Sequence, residues 1–242
     1  MPTCPSILRQ LSIALALCLA ASACTPQLQS APSTAEIESL GMLALHAQQA
    51  QARATLRHWA DQGLPVAQRE LGLALFEKDP RSACNWLTQA AGNGDQAAQF
   101  ALAEVFYKAR LGVTKNLTLA QRWYAAAAAQ GNDKANFMLA RMAKYGEGGP
   151  LDLPLSVHYL QLASDQGNAQ AMFLLANAYA AGAGVATDPL RAHAWLERSA
   201  AGDYAVAIHA LALELEGTDQ QQAKHLIKEA RDERLMHWNQ YQ

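Results

Sequence analysis

The sequence predicts an all-α fold, a right-handed α-solenoid of about six stacked helix hairpins, from three observations. Within each unit, apolar residues lie at i, i+4 and i+8, which is helical spacing and not the alternation of a strand. Hydrophobic residues make up 51% of the chain and aromatic residues only 7%, so alanine and leucine supply most of the apolar surface, as in closely packed helices. A leucine followed by glycine or alanine recurs at Leu40, Leu71, Leu102, Leu139, Leu175 and Leu211.

Residues 1–23 have the pattern of a secretion signal. A single positive charge at Arg9 precedes the apolar run LSIALALCLAA, which is short for a membrane span, and small residues follow before Cys24. The segment LAASAC resembles the lipobox of bacterial lipoproteins. That resemblance implies cleavage before Cys24 and a lipid anchor on its sulfur, a diacylglycerol with fatty acids such as palmitate. An ordinary signal peptide cleaved nearby is the alternative.

Residues 24–35 are predicted to form a flexible tether, because TPQLQSAPST is rich in proline, glutamine and serine and has no apolar period. Loss of the signal would leave Cys84 as the single unmodified cysteine, which excludes an intramolecular disulfide. We expect Cys84 to be a small buried hydrophobe. The predicted location is the bacterial cell envelope, facing the periplasm, with Thr25 resembling the outer-membrane sorting pattern of enteric bacteria.

Residues 36–231 form the predicted solenoid, in which each unit contains two helices joined by a turn. An alanine stands four residues before most of the recurring leucines, and the second helix carries a Trp or Tyr in most units. Small residues would let the helices approach closely, and the aromatic residue would wedge between neighbouring hairpins. Glycines after the second helix, at 94, 131, 167 and, one residue early, 202, would supply left-handed caps. Residues 232–242 would extend a capping helix.

The stretch AGAGVATD could be either a phosphate-binding loop or a turn between two helices. A phosphate loop would need a preceding strand and, in the P-loop, a following Gly-Lys-Ser/Thr, and neither occurs here. Gly182 and Gly184 therefore predict the turn that joins the two helices of one unit. In the units of Leu40, Leu71 and Leu211 this turn is shortened.

The repeat resembles the Sel1-like repeat family, a relative of the tetratricopeptide repeat. The resemblance implies a solenoid whose first helices line a concave, protein-binding face, without cofactor. A cysteine-rich branch of the family has been associated with β-lactam binding, but its cysteine pairs are absent from this sequence. The residues that match the family's unit are Ala171, Leu175, Ala176, Tyr179, Gly182, Gly184, Val185, Asp188, Ala192, Trp195 and Ala200.

We predict that the first helices carry the partner-binding residues. Counted from the alanine that opens each first helix, the third, sixth, seventh and tenth positions should be exposed. Met138, Met142 and Tyr145 form one helical stripe, which would be either the apolar centre of a binding site or packing between helices. The predicted partner-binding residues are Glu70, Glu104, Lys108, Met138, Arg141, Met142, Tyr145, Asn177 and Glu214.

No constellation in the sequence predicts catalysis, a metal site or a cofactor. The histidines His158, His193 and His225 occupy similar places in three units, but none has the spacing of a metal motif. A net charge of −2 without a basic run argues against a nucleic-acid partner. We therefore expect a membrane-anchored protein-interaction module or scaffold. It would bind an envelope complex component or a cell-wall enzyme. The alternatives are an immunity protein against a secreted effector of lipase type, or a cell-wall-related enzyme.

Overall fold

The computed structural model describes residues 31–215 and, beyond them, four helical residues between positions 221 and 228. The predicted signal at residues 1–23, the lipidated Cys24 and the extension at 232–242 lie outside the described residues, so these remain predictions. The chain divides into two compact units between Glu36 and Ile37. In the first, the Ser33 hydroxyl accepts a hydrogen bond from the N–H of Glu36 over 3.2 Å.

Within the described residues all regular structure is α-helical, and none of these helices is long and apolar enough to cross a membrane. The helices are α1 (Thr34–Leu45), α2 (Ala50–Asp61), α3 (Pro65–Leu75), α4 (Pro80–Gly92), α5 (Gln96–Lys108), α6 (Leu117–Ala129), α7 (Asp133–Tyr145), α8 (Leu153–Asp165), α9 (Ala169–Ala181), α10 (Pro189–Ala201) and α11 (Ala205–Leu215). Consecutive helices from α2 to α11 pack against each other, most closely within the hairpins α3/α4, α5/α6, α7/α8 and α9/α10. The predicted all-α solenoid is confirmed.

We call the first helix of each hairpin an A helix (α1, α3, α5, α7, α9, α11) and the second a B helix (α2, α4, α6, α8, α10). Alanines and leucines at the repeating positions form the core between them, and the wedge aromatics Trp86, Trp123, Tyr159 and Trp195 are half-buried. Five hairpins and the A helix of a sixth are described. The second half of the sixth unit lies mostly outside the described residues.

Short polar side chains begin most helices by capping their free N–H groups. In the four B helices from α4 to α10, the capping oxygen accepts a hydrogen bond of 2.9 to 3.1 Å from the N–H three residues along. Such a cap stabilises a helix by about 1 kcal/mol relative to alanine. These four capping residues are Asp79, Asn116, Asp152 and Asp188.

The turn between α9 and α10 has the conformation that its glycines predicted. Gly182 and Gly184 have φ values of +69° and +81°, in the left-handed region. A Cβ atom on Gly184 would lie 2.4 Å from the carbonyl oxygen of Leu153, at the start of α8. The turn of one unit therefore packs directly on the preceding B helix, and only glycine allows that approach.

The predicted left-handed glycines after the B helices are confirmed in three cases and displaced in one. Gly94, Gly131 and Gly167 all have positive φ. After α10 the left-handed residue is Asp203, with φ of 58°, while Gly202 has φ of −90°. The glycine that comes one residue early in the sequence therefore ends the helix, and the next residue makes the turn.

Candidate functional site: grooves between successive A helices

The predicted partner-binding residues do not form one exposed row. Met142 is 1% exposed and Met138 is 8% exposed, so the expected exposure of these two residues was wrong and packing between helices describes them. Seven residues advance a helix by about 700°, only about 20° short of two turns, so the seventh position returns to the face of the opening alanine. Tyr145, at the tenth position, is 61% exposed.

Met138 and Met142 fill the space between α5, α6 and α7, which we call the closed groove. Tyr124 of α6 projects into the same space and is fully buried. Its ring centroid lies 5.6 Å from that of Phe100 and 6.3 Å from that of Tyr107. Five large side chains from three helices therefore pack together at this level of the solenoid.

The polar groups around the closed groove are paired with one another. The Tyr124 hydroxyl donates a hydrogen bond to Glu104, and Lys108 forms an ion pair with the same carboxylate. Burial, and then the neighbouring Glu104 carboxylate, raise the pKa of Tyr124. The Tyr107 hydroxyl donates to Glu147 over 2.7 Å. Glu104 and Lys108, both predicted to bind a partner, thus already have partners within the chain.

Between α7, α8 and α9 the same arrangement of helices leaves a cavity of about 210 Å³, which we call groove I. Its residues occupy the repeat positions that fill the closed groove, but they are smaller. Leu160 replaces Tyr124, Leu174 replaces Met138, and Ala178 replaces Met142. Its apolar lining includes Leu153, Val157, Leu160 and Leu174.

The rim of groove I is basic. Arg141 and Lys144 of α7 line it, and neither has a carboxylate within 4.0 Å among the described residues. The polar contact of Arg141 is a long one, 3.8 Å from its Nη1 to the Sδ of Met138. The Lys144 ammonium lies 5.4 Å from the ring centre of Tyr145. Arg141 therefore lines this groove, and the exposed Tyr145 follows Lys144 on the same helix.

Groove II lies one repeat further along, between α9, α10 and α11, with a volume of about 430 Å³. Asn177 lines both grooves. In groove II, His193 Nδ1 is 2.9 Å from Glu214 Oε2, and His193 Nε2 is 3.4 Å from Glu197 Oε1. Two predicted residues, Asn177 and Glu214, thus line grooves, and Glu214 is already paired with His193.

Glu70 is separated from the other predicted residues and belongs to a charge network around Arg69. The Arg69 guanidinium contacts Glu38 at 2.7 Å and both Glu70 and Asp95 at 2.9 Å. Burial raises the pKa of Glu70, while Arg69 opposes that rise. This network joins α1, α3 and the start of α5, so Glu70 is an internal structural contact in this part of the chain.

The sequence reasoning missed the B-helix side of the grooves, including Val157, Leu160 and His193. The available signal was the change in side-chain size at equivalent positions, from Tyr124 to Leu160.

Cys84 is a free thiol that is half-buried, not buried as expected. Within the described ranges, no cluster of three or more histidine, cysteine or acidic side chains could hold a metal ion.

Two crystal structures of other proteins are similar to this fold. A crystal structure of a Sel1 repeat protein from Oxalobacter formigenes is similar with a TM-score of 0.73 and 26% identity, over 86% of this chain and 91% of that one. The crystal structure of c5321, a protective antigen of uropathogenic Escherichia coli strains, has the same fold, with a TM-score of 0.72 and 24% identity over 83% of this chain and 46% of that one.

A rat protein named DAP3-binding cell death enhancer 1 is 36% identical over 106 residues, which are 42% of this chain. This chain spans about a fifth of the length of that relative, since the match covers 20% of it.

The Sel1 repeat itself matches four successive segments, at 65–95, 96–132, 133–168 and 169–204. Together these segments make up more than half of the sequence, and each begins with an A helix. The chain therefore belongs to the Sel1 repeat family.

Proposed function

We propose that this protein is a non-enzymatic protein-interaction module, anchored by a lipid on Cys24 and facing the periplasm in the bacterial cell envelope. The observation that carries the proposal is the pair of adjacent open grooves, I and II, at equivalent positions of consecutive repeats. An apolar floor with a polar rim is the composition of a protein-binding surface. Stacked repeats also present such grooves side by side, which suits an extended partner segment.

The family supports protein binding as the activity. Sel1 repeats mediate protein–protein interaction, and proteins built from them are in general interaction modules without catalytic activity. The matched rat relative is named for binding another protein, DAP3. We extend to this chain only the class of activity, which is the binding of a protein partner.

The envelope location is supported by the sequence at the N-terminus. Residues 1–23 have the charge, apolar run and small residues of a secretion signal, and Cys24 follows them directly. The tether was predicted over residues 24–35, but α1 already begins at Thr34, so residues 25–33 would hold the solenoid away from the membrane. A nine-residue chain extends to at most about 30 Å. The grooves would thus be within reach of proteins at the membrane surface.

A crosslinking pulldown from envelope fractions tests the proposal. The tagged full-length protein should capture a stoichiometric protein partner that survives high salt, because the groove floors are apolar. A Cys24→Ser variant should lose membrane association and, with it, a partner that is itself in the membrane. The captured protein also identifies the role, since an envelope component indicates a scaffold and a secreted effector indicates an immunity protein. Correct anchoring without any captured protein would contradict the proposed function.

A further inference from the structure

Groove I has cations in its lining that form no ion pair within 4.0 Å with any described residue. Its lining contains two cations, Arg141 and Lys144, and no acidic residue. At the position of Arg141, the preceding A helix has Glu104, which is bound by Tyr124 and Lys108. At the position equivalent to Lys144, α5 has Tyr107, whose hydroxyl donates a hydrogen bond to Glu147. Among the closed groove, groove I and groove II, groove I is the one in which an open apolar floor lies beside two cations without an ion pair to a described residue.

The size of groove I limits its occupant. Small-molecule sites are usually about 300–1,000 Å³, so a cavity of about 210 Å³ is suited to a single apolar side chain and not to a whole ligand of that kind. The floor of Leu153, Val157 and Leu160 provides only apolar contacts to such a side chain. Arg141 is half-buried, so an ion pair that it forms would be partly shielded from water.

We propose that groove I binds an acidic segment of a partner protein. One apolar side chain of the segment lies on the floor, and carboxylates on either side of it pair with Arg141 and Lys144. Arginine binds carboxylates through two parallel hydrogen bonds, and lysine acts as a point charge, so both are suited to this partner chemistry. This inference rests on the proposed function and adds the chemical class of the bound segment.

A probe peptide tests the charge requirement. The probe is end-blocked, fluorescein-labelled Asp-Glu-Leu-Asp-Glu, and its matched control is Asn-Gln-Leu-Asn-Gln, which has the same shape without charge. Anisotropy titrations use the full-length protein in detergent micelles. We expect saturable binding of the acidic probe, weakening with added salt, and at least about tenfold weaker binding of the amide probe. Equal binding of the two probes, or no saturable binding of the acidic one, would overturn the inference.

Variants of the protein test the site itself. The double variant Arg141→Gln, Lys144→Gln should weaken the acidic probe about tenfold. The matched control is Lys134→Gln, an exposed cation in the first turn of the same helix that does not line the groove, and it should change the affinity by less than about twofold. Melting temperatures show whether each variant is folded. An unchanged affinity in the double variant would contradict the site.

A second variant fills the groove without changing any charge. Ala178→Met introduces the side chain that Met142 supplies at the same position of the closed groove, and it should abolish probe binding while Arg141 and Lys144 remain. Unchanged binding would show that the floor is not used.

The partner captured in the envelope pulldown distinguishes a failure of the acidic-segment inference from a failure of the proposed function. If wild type and the double variant capture it equally in low-salt buffer, where the ion pairs are least screened, the acidic-segment inference fails and the proposed function stands. If wild type captures none, the proposed function fails.

Discussion

The closed groove and groove I are built from the same three-helix frame and differ in what fills it. Tyr124, Met138 and Met142 occupy the closed groove, and smaller residues at the same positions leave groove I open. Because each groove is lined by three helices of two units, a few side-chain exchanges change the volume without altering the backbone pattern. A repeat scaffold can thus place a binding site at one level and a solid core at the next.

The two regions also differ in how their charges are used. Around the closed groove, Glu104 and Lys108 pair with each other, and Tyr124 adds a hydrogen bond. Around groove I, Arg141 and Lys144 have no such partner within the described chain. Paired groups must give up their contacts before they can bind a partner, whereas cations without an ion pair beside an apolar floor remain available to a ligand. We therefore locate binding towards the C-terminal half of the solenoid.

The largest expected effect comes from emptying the closed groove. Tyr124→Ala should lower the free energy of unfolding by about 3–5 kcal/mol, because a fully buried aromatic side chain is lost and a cavity remains. Leu160→Ala removes the equivalent residue beside groove I and should cost less, since that side chain already borders open space. Denaturant unfolding measures both. Equal losses would show that the two levels are packed alike.

A smaller effect is expected at the turns that flank the two regions. Gly184→Ala should lower the free energy of unfolding by at least about 2 kcal/mol, because left-handed strain is combined with a contact to the Leu153 carbonyl oxygen. Gly112→Ala, in the turn of the closed-groove unit, should cost only about 1 kcal/mol. Gly112 also has positive φ, but a Cβ atom added there would have no other atom within 4 Å. Thermal unfolding of both variants gives the difference, and the prediction fails if Gly112→Ala is the more damaging.

The smallest effect should be a gain in stability. Ala109 ends α5 in the left-handed conformation, with φ of 54°, at the repeat position that Gly182 occupies after α9. Ala109→Gly relieves this strain and should raise the free energy of unfolding by about 0.5–1 kcal/mol. Denaturant midpoints detect a change of this size. A loss of stability would mean that contacts of the alanine methyl group outweigh the strain.

The helices and their turns were predictable because their signals are local. The recurring leucines and the turn glycine Gly182 each act within a few residues, and the structure agrees with them. The partner-binding surface was predicted less well. Met142 was expected to be exposed although a seventh position returns to the core face, an error that helical geometry could have avoided. Glu70 was chosen for its position alone. It pairs with its neighbour Arg69, and the contacts of Arg69 with Glu38 and Asp95 on other helices do not appear in any local pattern.

The sequence by itself determined the repeat, the hairpin unit and the order of the helices, because periodicity and capping are properties of short segments. Only the tertiary structure decided which grooves are open and which charges are unpaired. Groove I depends on the combined volumes of Leu160, Leu174 and Ala178, which belong to different helices and approach one another only when consecutive hairpins stack. Packing is a property of side chains from separate segments meeting in space, so no single stretch of the chain specifies it.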